Sequence, residues 1–409
     1  MKKYISLLTC VILAYQVFSQ SANQMYDEGV EFLNKNEYKK AIELFDKVID
    51  KSPYYYDAYL DKGRCYFAMG NIEIAFENYN LALEKKPDYY QAFYYRGIAY
   101  QSIDKYKDAL DNYNKAIEIK EKYIDAYTKR AELHDIMEKY DESVYDYSMA
   151  INLLNERGKQ EAKLYFKRAE VCIKLEKNEE AFNDYSKAIE LKPEFALAYF
   201  KRGQILESAG RYKVAVNDYT KAINNKLINV DIYTKRAYAN MKASIFSDAI
   251  KDFTELIEQF DKKESEIYNM RGVCYNNIKD YEKAISDFSK AIAHDRNNED
   301  AYINRSFSYM KMNKTTQAFN DCNRIINMNK KNAKAYYQRG LINYEKNEFE
   351  IAIEDLNKSI KYKPTAEAYY LRGESKNLTK DLYGACDDLK TAAMLGHEKA
   401  AEQMKIFCR

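Results

Sequence analysis

A 34-residue unit recurs along this chain, and it is plainest in AKLYFKRAEVCIKLEKNEEAFNDYSKAIELKPEF, from Ala162 to Phe195. In its first half Tyr165, Ala169 and Cys172 fall at i, i+4 and i+7; in its second half Ala181, Tyr185, Ala188 and Ile189 fall at i, i+4, i+7 and i+8. Each pattern marks one apolar helical face. Glu176, Lys177 and Asn178 form a polar turn between the two halves. Pro193 ends the second, because proline lacks the amide hydrogen and its ring clashes with the preceding turn. A helical hairpin of this size has nowhere to bury its apolar face, so it must stack on copies of itself.

Eleven copies begin near Ala22, Tyr56, Tyr90, Ile124, Ala162, Ala196, Val230, Ser265, Glu299, Ala333 and Ala366, with a spacing of 34 at seven of the ten steps. The expected repeats are 22–55, 56–89, 90–123, 124–161, 162–195, 196–229, 230–264, 265–298, 299–332, 333–365 and 366–397. Extra or missing residues fall between repeats, around Asn155 to Glu161, near Lys262 and near Pro364, where a loop absorbs them. The period overrides the two or three domains that 409 residues would otherwise suggest, and points to one all-α array. Only 12 Gly and 4 Pro interrupt it.

The first residues stand outside the period. Lys2 and Lys3 precede an apolar run from Tyr4 to Phe18 that ends at Ser19, the charge, length and flank of a secretory signal over 1–19. The run is short for a membrane span. The sequence therefore predicts an exported chain, periplasmic, envelope-associated or secreted, with no integral span once the signal is removed. The full chain carries 65 Lys and Arg against 63 Asp and Glu, and loss of Lys2 and Lys3 leaves 63 of each. A neutral chain has no field to attract nucleic acid, so that partner class is excluded.

At this point the residues resemble the tetratricopeptide repeat family, over nearly all of the chain after the signal. That family's pattern has aromatics at positions 4, 11 and 24, small residues at 8, 20 and 27 and proline at 32. The second copy carries Tyr59, Gly63, Tyr66, Ala75, Tyr79, Ala82 and Pro87, and the sixth carries Tyr199, Gly203, Ala215, Tyr219 and Ala222. Cys322, Leu356 and Leu389 depart from the aromatic at position 24 in the last three copies but stay apolar. The resemblance implies a right-handed superhelical solenoid of antiparallel helix pairs, with the first helices lining a concave groove.

Two columns depart from the family usefully. Position 7 is Arg from the third copy on: Arg96, Arg130, Arg168, Arg202, Arg236, Arg271, Arg305, Arg339 and Arg372. Position 23 is Asp from the fourth on: Asp146, Asp184, Asp218, Asp252, Asp287, Asp321, Asp355 and Asp388. In a hairpin turning near position 16 these positions lie at similar height on facing helices. The columns read as a ladder of inter-helix ion pairs, the alternative being a row of arginines that binds a ligand.

The groove positions implied by the resemblance carry Lys129, Lys167, Lys201 and Lys235, with Tyr94, Phe166 and Phe200 beside them. They read as a basic, aromatic-lined surface for a partner segment of acidic character, or else as a solvated face in which Glu132 and Glu170 neutralise the neighbouring lysines. Asp27, Asp57 and Asp61 make the N-terminal groove acidic instead. Residues 398–409 suit a C-terminal capping helix and tail. Cys386 and Cys408 fall on adjacent elements of an exported chain, either bonded or two buried thiols. The other mature cysteines have no metal-ligand spacing, and the three histidines lie in different repeats with no paired carboxylate or cysteine motif nearby in sequence. No catalytic or metal site, no cofactor and no enzymatic activity are predicted. The reading is a non-enzymatic protein–protein interaction scaffold of the cell envelope whose groove binds a protein or peptide; the alternative is a lumenal or periplasmic chaperone-like holder of unfolded polypeptide. Position 9 never holds the Asn used by chaperone-tail-binding members of the family, which sets the cytosolic co-chaperone reading aside.

Overall fold

The computed structural model describes residues 21–408, so the candidate signal over 1–19 lies outside the described residues. Within them the chain forms 23 α-helices and no strand, consecutive helices packing in pairs. The first helix of each of eleven pairs starts at Ala22, Tyr56, Tyr90, Ile124, Ala162, Ala196, Val230, Ser265, Glu299, Ala333 or Ala366, and a last helix spans Glu398–Phe407. The chain divides into two compact units, Met1–Ala198 and Tyr199–Arg409.

In the hairpin Ala162–Lys174 and Asn178–Leu191, Ala169, Ala181 and Ala188 are fully buried and Tyr185 nearly so. Small residues let the two backbones approach, and the position-24 ring fills the space beside them. The fit is tightest where position 8 is glycine: a Cβ at Gly63 would stand 2.6 Å from Tyr79 Cε1, and one at Gly272 equally close to Phe288 Cε1.

The turn between the two helices has one geometry throughout. All eleven turns hold one residue at positive φ, such as Asn36 at 60°, Gly70 at 82°, Lys279 at 64° and Lys380 at 68°. The next amide bonds back across the turn, as Lys177 N does to the Cys172 carbonyl at 2.9 Å. Only Gly70 and Gly210 bring glycine to this left-handed conformation; the other nine copies carry Asn, Asp, Glu, Ser or Lys there. Stacking of the hairpins therefore holds a backbone that most of these side chains disfavour.

At the C-terminus Leu389, Ala392 and Ala400 pack together. His397 caps the last helix, its Nδ1 accepting from Ala400 N at 3.2 Å, and its ring stacks on Tyr370 at 4.1 Å. A disulfide joins Cys386 to Cys408, whose Cα atoms are 5.6 Å apart, and ties the last helix to its neighbour.

Candidate functional site

The arginine and aspartate columns meet as bidentate pairs. In the first unit Arg130 Nε and Nη2 donate to Asp146 at 2.8 and 2.7 Å, and Arg168 makes the same two bonds to Asp184. In the second unit Arg202, Arg236, Arg271, Arg305, Arg339 and Arg372 close on Asp218, Asp252, Asp287, Asp321, Asp355 and Asp388 in the same way. All eight carboxylates are buried. The fork of each guanidinium faces inward, so the ladder offers no arginine row to a ligand.

A third donor makes the ladder a link between hairpins, which the reading by paired columns misses. Arg130 Nη1 donates to Asn114 at 2.7 Å, Arg168 to Ser148 at 2.9 Å, Arg305 to Ser289 at 2.9 Å and Arg339 to Asn323 at 2.7 Å, each acceptor lying on the second helix of the preceding hairpin. The signal was present: position 25 carries a short hydroxyl or amide side chain in these copies, two residues after the aspartate column. In the third copy Arg96 bridges the same way between Asn112 at 2.8 Å and Asn80 at 2.7 Å. Burial holds Arg96 below the usual arginine range, whereas the hydrogen bond to aspartate raises Arg168, Arg202 and Arg339. The second copy inverts the chemistry, with Lys62 reaching Asp46 of the first at 2.5 Å.

The residues expected to line a basic groove are placed differently. Phe166 and Phe200 are 5% and 7% exposed, the first packed on Tyr185 and Phe195 and the second on Tyr219, so they fill the core and offer nothing to a partner. Tyr94 is half-buried among Tyr95, Tyr113 and Tyr123. Lys129 pairs with Glu132 at 2.7 Å and Lys167 with Glu170 at 2.9 Å, one helical turn on; Lys235 lies 3.8 Å from Glu207. Lys201 is half-buried. Lys129 and Lys167 are thus neutralised locally, because a Glu follows each at i+3. Toward the N-terminus Tyr26 donates to Asp61 at 2.7 Å, Tyr89 donates to Asp57, and Arg64 pairs with Asp61 at 2.7 Å, so these carboxylates also bind within the fold. Burial, then the Asp61 charge, raises the Tyr26 phenol far above its ordinary range.

Cys65, Cys172, Cys274 and Cys322 are buried thiols. Burial pushes Cys65, Cys274 and Cys322 up to about 12 and Cys172 to about 11. Among the described residues no group of His, Cys, Asp and Glu is arranged to hold a metal ion, and no helix is long and apolar enough to cross a membrane.

One concavity on the first helices stands out. A cleft of about 280 Å³ opens between the helices Glu299–Lys311, Ala333–Glu345 and Ala366–Leu378, with Ile303, Lys334, Tyr337, Gln338, Lys363 and Glu367 among its walls. Gln338 is 8% exposed, and its Nε2 has no hydrogen-bond partner. A second cleft of about 520 Å³ shares Tyr337 and Glu367 with it and runs on to Tyr370 and His397.

Comparison with known proteins finds tetratricopeptide repeat models at 32–96, 196–227, 265–298 and 333–365, and a TPR repeat model at 169–210. An uncharacterized protein of Methanocaldococcus jannaschii is 38% identical over 56 residues, which are 14% of this chain and 65% of that one, so the chain spans just under two thirds of this curated relative. Among solved structures, a tetratricopeptide repeat protein of Parabacteroides merdae is 20% identical with a TM-score of 0.47, covering 61% of this chain and 99% of its own. Yeast Tom70 is 15% identical with a TM-score of 0.36, covering 94% and 99%. The Naa15/Naa10 structure bound to HypK-THB is 16% identical with a TM-score of 0.41, covering 93% of this chain and 65% of that one.

Proposed function

Because this chain is a tetratricopeptide repeat protein, a member of a family of protein-interaction scaffolds, we propose that it is an exported, non-enzymatic scaffold that holds a partner segment against its first helices. The observation that carries the binding reading is the cleft at Gln338, where a buried donor on that face is left without a partner while the ladder charges are spent inside the fold. Unpaired buried donors are rare because they forfeit their hydration without replacement. Support for export comes from the bond between Cys386 and Cys408, a pairing that persists in oxidising compartments, together with the signal-like residues 1–19.

A photocrosslinking residue at Tyr337, compared with one at the exposed Glu350 on a second helix, tests the binding reading in the native host. The expected result is one dominant adduct from Tyr337 and little from Glu350; equal labelling from both overturns it. The purified chain should not suppress aggregation of a denatured client, since suppression at equimolar protein is the behaviour of a holder and not of a scaffold. N-terminal sequencing should find the chain starting after Ser19 or Gln20, and an intact Met1 on the mature protein removes the export reading.

A further inference from the structure

We propose that the outward face of the last hairpin's second helix, Leu382–Met394, is a contact between two copies of this chain, related by a two-fold axis and paired antiparallel along that helix. Such a contact is independent of where the first helices hold a partner.

Four residues make the face. Tyr383, Asp387, Lys390 and Met394 are exposed and fall at i, i+4, i+7 and i+11, the spacing of a helix–helix seam. Tyr383 and Met394 are 91% and 79% exposed, among the three most exposed large hydrophobic residues of those described. The place of Tyr383 holds Lys, Glu, Asp, Ser or Thr in the other ten copies, as in Glu282 and Glu350. That of Met394 holds Asp, Glu, Asn or Lys, as in Glu190 and Glu258, or the small Ala293. Scattered single apolar residues are ordinary on a surface, but this pair closes both ends of one stripe, in the last of the eleven copies.

Packing within the chain does not use this face. The last helix, Glu398–Phe407, covers another side of Leu382–Met394, through Leu389, Ala392 and Ala400 and through the bond from Cys386 to Cys408. Lys390 stands where Asn114, Ser148, Ser289 and Asn323 each accept from the arginine of the next hairpin, and Arg372 is the last of that column. Arg372 and Lys376 both pair with Asp388; among the described residues neither Asp387 nor Lys390 takes part in an ion pair.

The order of the four residues selects the occupant. With the two-fold axis level with Asp388 and Leu389, an antiparallel second copy sets its Met394 against Tyr383 and its Lys390 against Asp387, and both contacts recur across the axis. Apolar meets apolar at each end, where a thioether packs well on a ring, and opposite charges meet twice between them. The stripe is thus complementary to itself, as an isologous interface requires. A parallel pairing would instead set Asp387 on Asp387 and Lys390 on Lys390. From Tyr383 to Met394 the seam runs about 16 Å, short for a permanent interface, so the dimer is weak and forms with concentration. Two copies joined in this way carry two sets of first helices, which raises avidity for a partner with repeated segments.

Sedimentation velocity of the full chain from about 1 to about 200 µM should show monomer passing to dimer and no further, since a two-fold contact closes on itself. Asp387→Lys and Lys390→Asp each set like charges across the axis and should weaken the dimer at least about tenfold with Tm unchanged. Mixed together, these two variants should dimerise again, because each lysine of one then faces an aspartate of the other. The double variant Asp387→Lys/Lys390→Asp should recover by itself. Should a swap fail to fold, Tyr383→Glu/Met394→Glu replaces it, as other copies carry glutamate at both places, and should abolish the dimer. A monomer throughout, an undiminished dimer in a folded single variant, or mixed variants that stay apart overturns the proposal. So does a dimer that a non-reducing gel shows to be joined by Cys386–Cys408 bonds exchanged between copies.

Discussion

Replacing Arg305 by alanine isolates what the ladder contributes. The substitution removes two bonds to Asp321, at 2.9 and 2.7 Å, and the bridge to Ser289 at 2.9 Å. It leaves a carboxylate that is 5% exposed without the guanidinium that pairs with it. An orphaned buried charge costs about 3–5 kcal/mol, and Arg305 keeps 17% of its side chain in water, so about 3 kcal/mol is expected. The double variant Arg305→Ala/Asp321→Ala removes that orphan and should cost only about 1–2 kcal/mol, much of it the lost bridge and packing, which implies a coupling of about 2 kcal/mol or more. Asp321→Asn recreates the Arg96–Asn112 arrangement and should be mild, about 1 kcal/mol. Arg372→Ala provides an internal contrast, because Lys376 also reaches Asp388, at 2.9 Å, and stays behind; it should cost less than Arg305→Ala. Urea melts of the full chain followed by far-UV circular dichroism read these differences. A stacked array loses stability repeat by repeat, so the slope of each transition must be compared before midpoints are converted. Additive single losses, with a coupling under about 0.5 kcal/mol, would refute the pairing.

Other expectations follow from single contacts. Cys386→Ser opens a loop of 22 residues, whose closure is worth about 3 kcal/mol, and should free the last helix in hydrogen exchange while the first unit stays unchanged. Thiol titration of a chain lacking residues 1–19 should find no reactive cysteine in the native state at pH 8, four in denaturant and six after reduction; reaction of Cys65 or Cys322 in the folded chain would contradict burial that holds them near 12. Lys279→Gly relieves a left-handed residue at φ 64° and should stabilise by about 0.5–1 kcal/mol, the rise in melting midpoint being the readout. Tyr26→Phe deletes a bond to the buried Asp61, which keeps Arg64, and should destabilise by about 1.5 kcal/mol in the same melts.

Much of this fold is written in period and residue size. Helix pairs, their starts and their small-residue contacts follow from Ala, Gly and Tyr at fixed offsets, since an amphipathic hairpin has few ways to bury its face. The arginine and aspartate columns are legible for the same reason, as two opposite charges repeated at one height on facing helices. The bridge to the preceding hairpin is harder to see, because Asn, Ser and Thr at position 25 read as ordinary solvated residues until the neighbouring guanidinium is in view. Phe166 and Phe200 mislead in the opposite sense. A position that faces the groove in one copy faces the core in another, since a large ring tilts into whatever space its position-24 neighbour leaves, as Phe166 does toward Tyr185 at 5.5 Å.

The lysines show why charge counted along the chain says little about a surface. Lys129 and Lys167 look like a basic stripe in sequence, yet each finds a glutamate one turn away and the stripe cancels. Lys330, Lys331, Lys361 and Lys363 look like scattered loop residues. Lys363 nevertheless lines the cleft at Gln338 together with Lys334, and Glu367 shares that wall. A ladder that consumes its own charges fixes the spacing of the hairpins without attracting anything. The repeat departs from this pattern at Gln338, whose Nε2 is, among the described residues, a buried donor with no partner.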